Sequence, residues 1–144
     1  MRCAPILAAA LVANGPALSD PLKVPTDKSV AEAADDLVAA ITEAGATTLV
    51  RVDQVAEVMR VGEMRGEGQL IIFGSPKPAG QDRGIAGMAL PLKVVVYEDA
   101  EGEVWLAYED PAKRIVAATG AEIDPAITSQ MAEALERLTN TAAA

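Results

Sequence analysis

The stretch from Leu70 to Asp110, LIIFGSPKPAGQDRGIAGMALPLKVVVYEDAEGEVWLAYED, decides how this chain folds. It predicts three strands and two connections. Gln69 to Gly74 (QLIIFG) is an apolar run bounded by glycine, the pattern of a strand covered on both faces. Leu92–Glu98 and Glu103–Tyr108 predict a hairpin joined by Asp99-Ala-Glu-Gly102, with the glycine free to take a left-handed turn position. Alternation puts Leu92, Val94 and Val96 on one face, with Lys93, Val95 and Tyr97 on the other. On the partner strand Val104, Leu106 and Tyr108 oppose Trp105 and Ala107. Apolar groups on both faces call for cover on both, so the hairpin belongs inside the sheet. Ser75 to Gly87 holds two prolines and three glycines and predicts a loop. Loops of that length in a compact domain tend to be functional or mobile.

Outward from this stretch, the punctuation is clear. Asp20 to Pro25 (DPLKVP) predicts a short edge or first strand, because proline cannot complete an inner ladder. Ser29-Val-Ala-Glu32 has capping-box spacing, and Val30, Ala33, Ala34, Leu37, Ile41 and Ala44 follow at helical intervals up to the stop at Gly45. Thr47 to Asp53 (TTLVRVD) is β-branched and alternating, a strand. Gln54 to Glu63 fits a short helix or an irregular connection, and Gly62, Gly66 and Gly68 read as opening a turn. Asp110-Pro111 and Asp124-Pro125 are two helix starts of one design, an N-cap followed by proline. The second launches the stripe Ile127, Met131, Leu135 and Leu138, and Thr139 to Ala144 is expected to fray.

At 144 residues the chain suits one domain with a real core. Its first nineteen residues differ in kind. Arg2 leads into the apolar run Ala4–Ala13, the breaker Asn14-Gly15-Pro16, and Ala17-Leu18-Ser19, which predicts a secretory leader cleaved before Asp20. The apolar run is too short to span a bilayer, and a buried N-terminal helix is the alternative. Removing the leader takes Arg2 from the 12 Lys+Arg, leaving 11 against 21 Asp+Glu and a charge of −10. It also removes Cys3, the single cysteine, from a chain that has no histidine. That acidity opposes nucleic-acid binding. Disulfides, thiol nucleophiles, imidazole bases and ordinary zinc sites are likewise excluded from the exported chain.

The strand end Arg51-Val-Asp53, together with LIIFGSPK (Leu70–Lys77), LPLKVVVYED (Leu90–Asp99) and VWLAYEDP (Val104–Pro111), resembles the domain-of-unknown-function 302 family. The resemblance runs from Leu22 to Leu138. It implies an α+β domain of the TATA-binding-protein-like class: strand, helix, four strands, helix, with the helices on one face of an antiparallel-rich sheet. It also implies a homodimer, often secreted. Two departures stand out. The family often carries a histidine after the strand-end aspartate, where this chain has Gln54, and the loop after the glycine reads Ser75-Pro-Lys-Pro. The family supplies a fold and no reaction.

Several side chains are candidates for a site. Lys93 sits in an apolar strand, and Arg51 and Asp53 share a strand face, which suggests a cationic point at a pocket mouth with Tyr97 and Trp105 as lining. The plainer reading is a structural ion pair of Lys93 with Asp53 or Glu98, or simple exposure. Ser75 and Lys77, with Arg83 and Gly87 beyond, could cradle an anion, although no phosphate-loop spacing is present. Ser75 beside Lys77 would act as a nucleophile only if that lysine were desolvated. Met59, Met64 and Met88 could hold Cu(I), or simply fill the core. Glu98, Asp99, Glu101 and Glu103 crowd the hairpin turn, which without EF-hand spacing or an aromatic cleft reads as a solvated acidic turn.

These features predict a secreted, periplasmic, non-catalytic domain without a cofactor or metal. It is expected to homodimerise and to bind a small apolar or amphipathic ligand or a protein partner. The ligand would sit on the sheet face under the helices or in the dimer groove. No nucleic acid and no membrane span are expected. The alternative is an enzyme or redox or copper accessory using Lys93, Asp53 and Ser75 or the methionines.

Overall fold

A computed structural model of the chain describes residues 20–53, 64–74 and 92–144. The expected leader, the segment 54–63 and the loop 75–91 lie outside the described residues. The elements run β1 (Leu22–Thr26), α1 (Val30–Glu43), β2 (Thr47–Asp53), β3 (Met64–Gly74), β4 (Leu92–Asp99), β5 (Val104–Tyr108), α2 (Pro111–Thr119) and α3 (Pro125–Ala143). The strands form one antiparallel sheet in the order β1-β5-β4-β3-β2, so the β4–β5 hairpin is central as its two apolar faces require.

One face of the sheet carries α1 and α3. Val94, Val96, Val104, Leu106 and Tyr108 from the hairpin meet Ile71 and Phe73 of β3 there. Leu37 and Ile41 of α1 and Leu135, Leu138 and Ala142 of α3 close over them, and the layer is an alternation-built core. On the opposite face Val95, Tyr97 and Ala107 form a second buried cluster with Leu70 and Trp105. The helix starts behave as written. The Ser29 side chain accepts from Glu32 N–H while the Glu32 carboxylate accepts from the Ser29 N–H. Asp110 and Asp124 each accept from backbone N–H groups of the first turn, with proline following. Gly102 closes the hairpin at φ 82°, a conformation costly for any residue with a Cβ.

Three expectations are corrected. Gly66 and Gly68 open no turn; they lie inside β3, where the register with β4 shifts between Met64 and Gly68. Within this irregular stretch Gly66 packs directly on Glu98: a Cβ there would come to 3.0 Å from the glutamate Cβ, so the position has no room for a side chain. Second, the C-terminus is not frayed. α3 runs to Ala143, with Thr139 and Ala142 wholly buried. Its last carbonyls are held from the β1–α1 corner: Thr26 Oγ1 donates to Ala143 O at 2.9 Å and Lys28 Nζ to Ala142 O at 3.0 Å. Third, the apolar stripe of α3 is only half used, because Ile127 is 46% exposed while Leu135 and Leu138 are buried.

Deleting residues 139–144 therefore removes both the buried Thr139 and Ala142 and the acceptors of Thr26 and Lys28. The urea-unfolding midpoint is expected to fall, with a loss of about 2–4 kcal/mol from the vacated space and stranded donors. An unchanged midpoint would show a dispensable tail.

Candidate functional site

The alternation of β4 dictates where each candidate goes. Lys93 shares the face of Val95 and Tyr97, turned from the helices, whereas Arg51 and Asp53 pair with Ile71 and Gln69 on the helix-facing side of β2. The three do not converge, and the pocket mouth expected from them does not form. Extending the β4–β5 register beyond Val95↔Ala107 brings Lys93 opposite Glu109, and that carboxylate is its partner. Lys93 Nζ lies 3.8 Å from Glu109 Oε2, so the pairing with Asp53 or Glu98 is corrected. Arg114, one turn into α2, reaches the same oxygen at 2.6 Å. Two cations thus share one partly exposed carboxylate. Such pairs contribute about 0–1 kcal/mol each and set geometry more than stability.

This cluster borders a dent lined by Leu92, Pro111, Ile115, Met131 and Leu135. Its volume is about 10 Å³, room for a single water. Sequence reasoning missed Glu109 and Arg114 as a unit, although continuing the hairpin register from Lys93 would have found the first of them.

Arg51 has a different neighbourhood. Its Nη1 donates to Asp35 Oδ1 of α1 at 2.6 Å and its Nε to Gln69 Oε1 of β3 at 2.7 Å. Asp53, two residues on, makes no ion pair among the described residues. Tyr97 and Trp105 do come together, across the hairpin as register partners. Tyr97 is 1% exposed and its hydroxyl has no hydrogen-bond partner among the described residues, while the Lys23 ammonium stands 5.9 Å from its ring centroid.

The acidic turn is organised by one side chain. Asp99 Oδ1 accepts from the Glu101 and Glu103 N–H groups at 3.0 and 2.9 Å, and Oδ2 accepts from the Trp105 indole at 2.8 Å. The indole hydrogen bond, helped by the backbone donors, holds this carboxyl below the usual aspartate range. Its chemistry is structural: it ties the turn to the outer cluster. Among the described residues no three His, Cys, Asp or Glu side chains converge to hold a metal. Met64 lies at the start of β3, and Met59, Met88, Ser75, Lys77, Arg83 and Gly87 lie outside the described residues.

A larger cleft, about 440 Å³, opens beside β1, the hairpin tip and the end of α3. Thr26, Asp27, Lys28 and Glu103 line it together with Pro25 and Val104. Its volume falls in the range of ligand sites, but its walls are largely polar, and two of them already cap α3.

A two-layer α+β domain with helices on one face of a five-stranded antiparallel sheet is thus the class that fold and surface define. The profile of the family described as Domain of unknown function DUF302 matches residues 22–144, and the chain belongs to that family. A solved relative, an uncharacterized conserved DUF302 protein from Bacillus stearothermophilus, superposes with a TM-score of 0.67 at 18% identity. The match covers 86% of this chain and 98% of that one, and shows the shared fold. Among curated proteins, the fluoride-specific ion channel FluC 1 of Brucella suis is 36% identical over 87 residues, which are 58% of this chain and 34% of that protein. FluC 2 of Brucella melitensis matches at the same identity over 32% of its length. The chain spans about a third of these relatives. No helix among its described residues is long and apolar enough to cross a membrane.

The Asp99–Trp105 bond gives a direct pH readout, since Trp105 is the only tryptophan. The folded carboxyl titrates below its unfolded value of 3.8, so its contribution is complete above that value and disappears as pH falls through the lower one. Trp105 fluorescence should shift with a midpoint below pH 3.8, and Asp99→Asn should abolish the step. A midpoint above pH 4 would contradict the assignment.

Proposed function

We propose that the chain is an exported, non-catalytic module that acts as a homodimer and engages a protein partner through its surface. The observation that supports this best is the filled layer between helices and sheet. Leu37, Ile41, Ile71, Val94, Val96 and Leu106 are all fully buried there. A ligand-binding version of the same architecture would need a cavity above about 300 Å³ in that layer. The dent at its end has room for about 10 Å³. A small ligand under the helices is therefore set aside in favour of an interaction module.

Chemistry points the same way. Lys93 is partly exposed and paired with Glu109, so its ammonium is held by a carboxylate rather than presented as a free amine nucleophile. Export is read from the leader-like residues 1–19, and the homodimer from the family resemblance. The Brucella proteins support the notion of a working partner. Each is about three times the length of its matched segment and is named as a fluoride-specific ion channel. A domain that can reside within a longer membrane-transport polypeptide fits an accessory role beside such a machine. The partner class proposed for this chain is accordingly a membrane transport protein facing the extracytoplasmic space.

Native mass spectrometry of the protein from its host's extracytoplasmic fraction, taken without refolding, tests this reading. A dimer at twice the bare mass of residues 20–144 is expected. An added mass lost on denaturation would instead establish a ligand carrier, and a copper mass would favour the accessory-redox alternative.

A further inference from the structure

The two edges of the sheet are built differently. β1 is five residues long and carries Pro25, which has no N–H to offer a neighbouring strand. Its far end is occupied by the Thr26 and Lys28 caps on α3. β2, the other edge among the described residues, is seven residues long, five of them β-branched or apolar, with no proline and no lysine. Its Leu49 is 57% exposed and its Val50 44%. Val50 and Val52 pair with Ile72 and Leu70, continuing the apolar character of the outer face to the very rim. A bulge between Thr48 and Val50 irregularises one end, but Val50 to Asp53 runs in clean register on β3. An edge of this kind is a template for another strand unless something covers it.

The charge on β2 selects the occupant. A chain of net charge −9 repels its own copies over most of its surface, so two copies meet most readily where acid and base alternate. Arg51 and Asp53 share a face of β2, two residues apart about Val52. In an antiparallel pair of identical strands, a two-fold axis through Val52 sets Arg51 of each copy opposite Asp53 of the other. A two-fold through Arg51 would oppose like charges. Asp53 has no ion pair of its own among the described residues, and Arg51 is fixed on the same face by its bonds to Asp35 and Gln69. Opposite-charge cross-strand pairs favour pairing, whereas like charges directly opposite disfavour it.

We infer that two copies of this chain join edge to edge through β2, forming a continuous ten-stranded sheet about a two-fold at Val52. The inference rests on the homodimer reading above and adds the surface and the register. Such a contact is isologous, with each copy supplying the same patch. It would place both helix layers on one side and leave the β1 rims at the two ends.

Sedimentation equilibrium and cysteine cross-linking test this together on the full chain, with Cys3→Ser so that an introduced thiol stands alone. Asp53→Arg should raise the dimer dissociation constant at least tenfold with an unchanged thermal melt. Adding Arg51→Asp should restore association, which damage to the fold cannot mimic. Val52→Cys should form an interchain disulfide under mild oxidation, while Ala117→Cys on α2 should not. A wild-type dimer indifferent to Asp53→Arg, with no Val52→Cys cross-link, would overturn the edge inference and leave the homodimer standing. A monomeric wild-type chain at tens of micromolar would remove both.

Discussion

The alternation of β4 and β5 is the constraint from which the remaining structure follows. Each strand presents β-branched or aromatic groups on both faces, so neither face can be left to water without exposing a wide apolar area. Placing the hairpin between β1 and β3 satisfies its backbone, and covering one face with α1 and α3 builds the core. The other face is left with the smaller cluster around Tyr97. Asp99 fixes the tip of the same hairpin and binds Trp105, so the turn and the outer cluster are one unit. Lys93 finds Glu109 for the same reason: the register that pairs Val95 with Ala107 sets Glu109 opposite it on one side, while its partner on β3 is the apolar Ile72.

Much of this was legible because local chemistry and tertiary need agreed. The capping box at Ser29, the Asp-Pro starts at 110 and 124 and the two-faced hairpin each satisfy a local backbone requirement that the fold then uses. Where they diverged, the sequence misled. Gly66 and Gly68 carry a turn's composition, yet they lie at an irregularity inside β3, where Gly66 leaves room for Glu98. Thr139 to Ala144 has the composition of a loose end, yet Thr26 and Lys28, more than a hundred residues earlier, hold its carbonyls. The candidate site failed for a geometric reason. Period-two alternation assigns faces within a strand, but it does not say that the faces of β2 and β4 bearing Arg51 and Lys93 are opposite ones.

The layer between helices and sheet is filled, and the two edges of the sheet are unlike in length and composition. Four of the described cationic side chains form ion pairs within the fold: Lys28 with Asp36, Arg51 with Asp35, and Lys93 and Arg114 with Glu109. The membership of the DUF302 family and the partial likeness to longer Brucella proteins agree with a domain used as a building block.

The claim on which this account depends is that the layer between helices and sheet is permanently closed. Native-state hydrogen exchange of the Val94, Val96 and Leu106 amides tests it most directly. Closure predicts that these amides exchange only through global unfolding, with a free energy equal to that from denaturant melts. Exchange through a cheaper opening, several kcal/mol below the global value, would show a layer that parts to admit a ligand and would contradict the account.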